Sequence, residues 1–261
     1  MSEINWLTAT EELERFFQER YDEVQIYLDL LRSVELATRE GNPRFAGTDD
    51  TVSVSQVRIL SSNLYLQLYN LVEATVTKCL ESVSDAVENL GLKPADLSES
   101  MRKEYVKSLA RTNVEMGAEK RLQATMELCD ALLEQLPIVG FEVVAGGGGN
   151  WDDQEIEKLC KRLGFSFELS REARKGAKTH VRDDLNSLKL VVNRRNGLAH
   201  GSLSFVDCGS EMLFTDMENL ARTIGIYLSE FVDAVVYFLN FEIAEHASRR
   251  ACFSETNGSF R

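Results

Sequence analysis

Residues 53–89 read SVSQVRILSSNLYLQLYNLVEATVTKCLESVSDAVEN, and their apolar side chains recur every three or four positions. This spacing places the apolar side chains on one face of an α-helix, so a long helix is predicted from about Ser53 to Asn89. A second, polar stripe runs along a neighbouring face of the same helix. It is either solvated or lines a pocket, and its members are Asn63, Gln67 and Asn70.

The segments on both sides of this helix show the same periodicity. Helices are predicted at about 8–39, at 98–135 with a break near 112–117, at 151–163 and at 215–246. A basic helical run is expected from about residue 170 to residue 200, and short extended pieces at 141–145 and 165–169. The chain has 261 residues and only three prolines, so the predicted fold class is all-α.

Composition is that of a globular protein, with 44% apolar and 27% charged residues. The five cysteines are scattered without a C-x-x-C pair, which predicts reduced thiols and a cytoplasmic location. The start of the chain shows no signal peptide, and no uninterrupted apolar run approaches the length of a membrane span. We therefore expect no membrane association.

The net charge of −13 argues against a nucleic-acid partner, because phosphate-binding surfaces are usually basic. The charge is unevenly distributed, however. Residues 158–195 contain eleven Lys or Arg and four Asp or Glu, a local charge of +7 in an otherwise acidic chain. This basic segment is either a solvated helix face or part of a small RNA site.

The sequence RNGLAHG, residues 195–201, carries the chemistry of the chain. Arg195 neutralises phosphate at any physiological pH, and His200 can take or release a proton near neutrality. Asn196 and His200 are four residues apart and therefore share a helix face. Gly197 and Ala199 are small and leave room for a phosphate or a second chain. In the simpler alternative, Arg194 and Arg195 are solvated and His200 ends a helix.

No other pattern in the chain predicts a cofactor or a metal. His180, His200 and His246 are far apart and match no zinc spacing, so no metal is expected. The glycines at 146–149 are not followed by the Gly-Lys-Ser/Thr of a nucleotide-binding loop. They favour a flexible connector or hinge over an anion site.

Three blocks of the sequence, taken in order, resemble the HEPN superfamily, and specifically a prokaryotic group linked to conflict and restriction systems. The R-x4-H motif of Arg195 and His200, with Asn196 directly after the arginine, is its signature. The other blocks are NLYLQLYNLVEAT at 63–75 and GNWD at 149–152, and Ser204-Phe205 follows the motif. The resemblance covers roughly residues 53–240.

This resemblance implies an all-α, HEPN-like helical bundle with extra helices that forms a symmetric homodimer. On this basis residues 1–247 form one domain with an insert at about 93–149, and residues 248–261 form a flexible tail. Active members are metal-independent endoribonucleases that act as toxins or phage-defence effectors. A partner antitoxin or defence-system protein is therefore expected.

The implied reaction leaves 2′,3′-cyclic phosphate and 5′-hydroxyl ends on the RNA. Two copies of His200 across the dimer divide the roles of base and acid, and Arg195 stabilises charge on the phosphate. Asn196 holds the phosphate or orients His200, and Glu73 fixes the imidazole or the guanidinium. Further supporting or RNA-binding residues are expected to be Arg194, Tyr69 and Asn70.

Two alternative functions remain open at the level of sequence. Many HEPN relatives are inactive, so the chain is alternatively an RNA-binding or scaffold subunit of a defence complex, which the acidic charge favours. A third possibility is a nucleotide-binding bundle. RNA cleavage that depends on Arg195 and His200 distinguishes the endoribonuclease from the scaffold subunit and from the nucleotide-binding bundle.

Overall fold

The computed structural model describes residues 3–41, 43–112, 117–146 and 150–243. Nine α-helices are present in these residues, with a six-residue π-helical end, Phe238–Ile243, after the last one. The helices are α1 (Glu3–Arg39), α2 (Val54–Asn89), α3 (Glu99–Thr112), α4 (Ala118–Leu133), α5 (Asp153–Leu163), α6 (Arg171–Lys178), α7 (Ser187–Ala199), α8 (Phe205–Cys208) and α9 (Phe214–Tyr237). The expected all-α class is thereby confirmed.

The core lies where α1, α2 and α9 pack against one another, as their apolar stripes require. From α2, Leu64, Leu68 and Val76 are almost fully buried, and α9 contributes Ile224 and Leu228. The helices α7 and α8 pack on α2, α6 packs on α9, and α5 packs on α3. As a result, α2 is the central helix, and α1, α7, α8 and α9 all contact it.

The start of α2 matches the sequence prediction. Ser53 is the N-cap: its side chain accepts a hydrogen bond from the Gln56 amide, and the Gln56 side chain accepts one from the Ser53 amide. This capping box satisfies two amides that would otherwise lack partners at a helix start. The helix then runs to Asn89, as its periodicity predicts.

The basic run at 170–200 is not one helix, and this prediction was wrong. A two-stranded antiparallel hairpin separates α6 from α7, with strands β1 (His180–Arg182) and β2 (Leu185–Asn186). Asp183 and Asp184 form its turn with φ values of 50° and 56°. Such a turn needs two consecutive positive φ angles, which aspartate tolerates better than most residues. Asn186 then caps α7 by accepting from the Lys189 amide.

Several other boundaries differ from the prediction. The N-cap of α5 is Asp152, which accepts from the Glu155 amide, and not Asn150. Segments 141–145 and 165–169 form no strand. Instead Phe141 donates its amide to Glu88, and Val143 donates its amide to Ser84. Side-chain acceptors on α2 therefore take the place of a neighbouring strand.

The α-helix α9 ends at Tyr237 and continues as the π-helical turn to Ile243, and the final residues of the predicted helix at 215–246 lie outside the described residues. Phe214–Ile243 is long and apolar enough to cross a membrane. A core helix passes the same test, and half of the most apolar stretch is buried inside the protein. The predicted tail at 248–261, His246 and most of the 146–149 glycine connector lie outside the described residues.

Candidate active site

The site is built on the second half of α7, where this helix crosses α2. Four of the predicted residues come together there: Arg195 and Asn196 from α7, and Tyr69 and Glu73 from α2. Tyr69 and Glu73 are four residues apart and so lie on the same side of α2, facing α7. Packing of the two helices brings together residues that are more than 120 positions apart in the chain.

The Arg195 guanidinium stacks on the Tyr69 ring. Its central carbon lies 4.1 Å from the ring centroid, within the range of a cation–π contact. A carboxylate oxygen of Glu73 lies 4.0 Å from Nη2 of Arg195, and both side chains are partly exposed. A pair at this distance and exposure contributes at most about 1 kcal/mol to stability. Tyr69 and Glu73 therefore orient the guanidinium while leaving one of its edges open to solvent.

Two carboxamides continue this arrangement. Nη1 of Arg195 donates a 2.8 Å hydrogen bond to Oδ1 of Asn196, and Nδ2 of Asn196 donates a 3.0 Å hydrogen bond to Oδ1 of Asn150. Because the Asn196 amide accepts through its oxygen and donates through its nitrogen, it fixes its own orientation relative to both Arg195 and Asn150. Asn196 thus connects the guanidinium to the segment that precedes α5.

Asn150 is a site residue, although the sequence predicts it to be a helix cap. The neighbouring Trp151 is buried, and its backbone lies beside the Tyr69 hydroxyl. The only signal in the sequence was the GNWD block at 149–152, which carried the family resemblance without a role. The turn before α5 therefore closes one side of the site.

Tyr69 contributes its ring to the site. Burial raises the pKa of its hydroxyl, and the Glu73 carboxylate raises it further, against smaller opposing contributions from Arg195 and the Trp151 backbone. The phenol therefore stays neutral at physiological pH. Its face can attract a cation, while its hydroxyl is a poor proton donor.

His200 lies at the end of α7, where it is the C-cap residue and is exposed. Its backbone amide donates to the Asn196 carbonyl at 2.9 Å. Within the described residues its imidazole makes no hydrogen bond or ion pair, so both ring nitrogens are free to meet a substrate. Gly201 follows with a φ of 72°, a left-handed conformation that ends the helix as predicted.

The space beside Gly197 is filled by the chain itself. A Cβ built on this glycine would lie 3.1 Å from Cβ of Leu203, because the loop after α7 folds back on it. The Leu203 amide donates to the Gly197 carbonyl at 3.1 Å. The expectation that Gly197 leaves room for a phosphate or a second chain is therefore not met. Ala199 is exposed.

Arg194 lies away from the Arg195 group. It is 7% exposed and is held by the Glu211 carboxylate, 2.6 Å from its Nε, and by the Asp183 carboxylate. Burial by itself lowers the pKa of Arg194, but the hydrogen bonds and charges of Asp183 and Glu211 outweigh it and leave the pKa raised. This arginine ties the hairpin turn to α7 and the segment after α8.

Asn70 also faces a different space from Tyr69 and Glu73. Together with Asn63 and Gln67 it lines an open groove of about 740 Å³ between α1 and α2. The polar stripe on α2 thus lines a groove, which was one of its two predicted environments. Asn70 does not touch Arg195.

The fold pairs about half of the cations in the basic segment at 158–195 with carboxylates. In the described residues, six of its eleven cations lie within 4.0 Å of a carboxylate: Lys158, Arg162, Lys178, Arg182, Arg194 and Arg195. Three exposed cations without such a partner share α6 and are Arg171, Arg174 and Lys175. No group of three or more His, Cys, Asp or Glu in the described residues is placed to hold a metal ion.

The family model HEPN_MAE_28990, described as a MAE_28990-like HEPN, matches residues 9–242. The chain belongs to this HEPN family. No curated protein and no solved structure matches the chain. The match runs from within α1 past the end of α9, including the predicted insert at 93–149, and the expected HEPN-like bundle is confirmed.

Proposed function

We propose that this HEPN protein is a metal-independent endoribonuclease that acts as a toxin or a phage-defence effector. The supporting observation is the Arg195 guanidinium, which is oriented by Tyr69 and Asn196 and lies on the helix that ends at the exposed His200. A cation held by neighbouring side chains, on the same helix as an accessible imidazole, is a suitable arrangement for phosphodiester transesterification. Membership of the HEPN family supports a role in nuclease or defence functions in general.

In the proposed reaction the RNA supplies its own nucleophile. A base removes the proton of a 2′-hydroxyl, the 2′-oxygen attacks the adjacent phosphorus, and the bond from phosphorus to the 5′-oxygen breaks. An acid protonates the departing 5′-oxygen, which gives a 2′,3′-cyclic phosphate and a 5′-hydroxyl. The 2′-hydroxyl loses a proton and the departing 5′-oxygen gains one, and no water takes part. The step therefore requires a base, an acid and a cation that stabilises the charge on the phosphate oxygens.

Arg195 supplies the cation. Its planar fork of donors suits two phosphate oxygens at once, and Tyr69 and Asn196 limit its side-chain rotation. The hydrogen bond from Asn196 to Asn150 holds the Asn196 side chain in position. The hydrogen-bonded pair of Arg195 and Asn196 is therefore oriented before the RNA binds. An oriented group loses less entropy when the transition state forms, and this favours catalysis.

His200 supplies the proton transfers. One imidazole cannot act as base and acid in the same step, so we propose that two copies of the chain each contribute one His200 at a twofold axis. The position of His200 at an exposed helix end is compatible with this arrangement. A homodimer is thus part of the proposed function.

The decisive experiment compares the wild type with His200→Ala and His180→Ala on total RNA in EDTA. His180 is the matched control, because it is an exposed histidine on the β1 strand, outside the site. We expect the wild type and His180→Ala to cut RNA, and His200→Ala to cut about 10²–10⁴-fold more slowly. Equal rates for all three proteins would refute the mechanism. Product ends without cyclic phosphate would refute it as well.

The sharing of the site between two copies has its own test. Wild type and His200→Ala subunits are mixed in equal amounts and allowed to exchange. If both imidazoles are needed, only dimers with two intact subunits cut, and activity falls to about a quarter of the all-wild-type value. A value of about one half would show independent sites.

RNA binding without any cleavage by the wild type would instead favour the scaffold function, and tight nucleotide binding without cleavage would favour a nucleotide-binding bundle.

A further inference from the structure

The helix α4 (Ala118–Leu133) is the least buried long helix in the described structure. None of its described side chains is buried, although the helix is rich in apolar residues. Leu122, Met126 and Leu133 are 64%, 50% and 82% exposed, and Cys129 is also exposed. A helix of 16 residues is marginally stable in water by itself, so an uncovered apolar face on it calls for a partner.

These four residues form a continuous seam along α4, which we call the α4 seam: Leu122, Met126, Cys129 and Leu133. Their spacings of four, three and four residues keep them on one narrow stripe, as in the contact seam of a coiled coil. The half-buried side chains Leu128, Ala131 and Leu132 lie on a different side of the helix, and Leu128 packs against the core. The seam therefore points away from the described residues of its own chain.

The pattern of the seam is self-complementary under a twofold axis. If two copies of α4 run antiparallel with the axis between positions 127 and 128, Leu122 of each copy meets Leu133 of the other. Met126 then meets Cys129 in the same way. Each large apolar side chain thus finds another one at the same level, as an isologous contact requires.

The charges on α4 favour the same orientation. Its first half carries Glu119, Lys120 and Arg121, a net charge of +1, whereas Glu127 and Asp130 give its second half −2 and the C-cap Glu134 adds a further negative charge. An antiparallel pair places the positive half of one helix beside the negative half of the other. A parallel pair would place the two acidic halves side by side, which like charges oppose.

We propose that α4 pairs antiparallel with α4 of a second copy of this chain through the α4 seam. The contact is separate from the His200 site, because Gln135 ties the end of α4 to Ala95, beyond the end of α2, whereas Arg195 contacts the middle of α2. The 16 residues of helix between Glu73 and Asn89 span about 24 Å. The proposal therefore holds whether or not the chain cuts RNA.

The first test measures the molar mass of the full chain by light scattering at several concentrations. We expect Leu122→Glu and Leu133→Glu each to halve the molar mass of the assembly, or to raise at least tenfold the protein concentration at which the assembly forms. Leu213→Glu is the matched control, since Leu213 is a 72% exposed leucine outside α4, and it should leave the mass unchanged. An equal mass for the wild type and both α4 variants would overturn the proposal.

The second test reads the orientation directly by disulfide formation. In a chain with Cys129 and Cys252 replaced by serine, one sample carries Leu122→Cys and a second sample carries Leu133→Cys. The antiparallel seam predicts that oxidation of the mixed samples gives a covalent dimer of the two different subunits, and that each sample alone stays uncrosslinked. Crosslinking within either single sample, or none in the mixture, would overturn the proposal. Neither result depends on RNA cleavage, so failure here is distinguishable from failure of the nuclease mechanism.

Discussion

Arg194 and Arg195 are consecutive residues of α7, yet their guanidinium groups lie in opposite environments. The Arg194 side chain is 9% exposed between Asp183 and Glu211, whereas the Arg195 side chain is 31% exposed over the Tyr69 ring. A helix turns by about 100° per residue, so neighbouring side chains face different parts of the protein. One arginine therefore holds the fold together while the next is available to a substrate.

Replacing each arginine with alanine should separate these two roles. Arg194→Ala leaves the Glu211 carboxylate without its main partner and should lower the free energy of unfolding by about 1–3 kcal/mol. Arg195→Ala should change it by less than about 1 kcal/mol, because its ion pair is long and exposed, while reducing RNA cleavage by about 10²-fold or more. Urea unfolding and cleavage assays measure the two effects. A large stability loss in Arg195→Ala with intact cleavage would contradict this assignment.

The Tyr69 ring should matter for cleavage through its aromatic face. Tyr69→Phe keeps the face under the guanidinium, so cleavage is expected to stay within about threefold of the wild type. Tyr69→Leu removes it and should slow cleavage about fivefold, since a partly exposed cation–π contact is worth up to about 1 kcal/mol. Cleavage rates of folded variants test this, with circular dichroism as the check on folding. Equal rates for the two variants would show that stacking does not orient Arg195.

Gly209 should be intolerant of any side chain. A Cβ at this position would lie 1.7 Å from the backbone oxygen of Arg58, where the segment after α8 packs against α2. Backbone must move to admit a methyl group there, so Gly209→Ala should lower the free energy of unfolding by about 1–3 kcal/mol or more. Gly117→Ala is the control, because a Cβ there meets nothing within 4 Å. Thermal unfolding compares the two variants, and similar melting temperatures would contradict the close packing.

Stability should depend on acid pH through Asp183. The hydrogen bond from Arg194 is the main cause that lowers the pKa of this carboxyl. A group with a lowered folded-state pKa stabilises the protein above its unfolded pKa of about 3.9, and this contribution is lost as the pH falls through the folded-state value. Asp183→Asn should therefore be less stable than the wild type at neutral pH, with the difference shrinking below about pH 4.

Urea unfolding at pH 7, 5 and 3.5 measures this difference. Asparagine tolerates the positive φ of the turn, so the backbone is not strained by the change. Asp184→Asn is the control at the neighbouring turn position, whose side chain is fully exposed. A stability difference for Asp183→Asn that is constant over this pH range would show that the ionisation of Asp183 is not linked to the stability of the fold.

The sequence by itself determined the long helices, although it did not give the N-cap of α5, which is Asp152 and not Asn150. The three- and four-residue spacing of apolar side chains in α2 and the Ser53 capping box are local properties, and they gave the correct bounds of this helix. The spacing of Arg195, Asn196 and His200 was likewise fixed by their place in one short segment. Local periodicity could not reveal the hairpin at 180–186, because its turn depends on Arg194 holding Asp183 eleven residues away.

Only the tertiary structure decided which of the predicted site residues act together. Helix packing brought Tyr69 and Glu73 to Arg195, directed Asn70 into the groove beside α1, and placed Asn150 against Asn196. The sequence gives the angle of each side chain around its own helix. The neighbour that each side chain meets depends on how distant helices bury their apolar faces against one another, and this is set by the whole core.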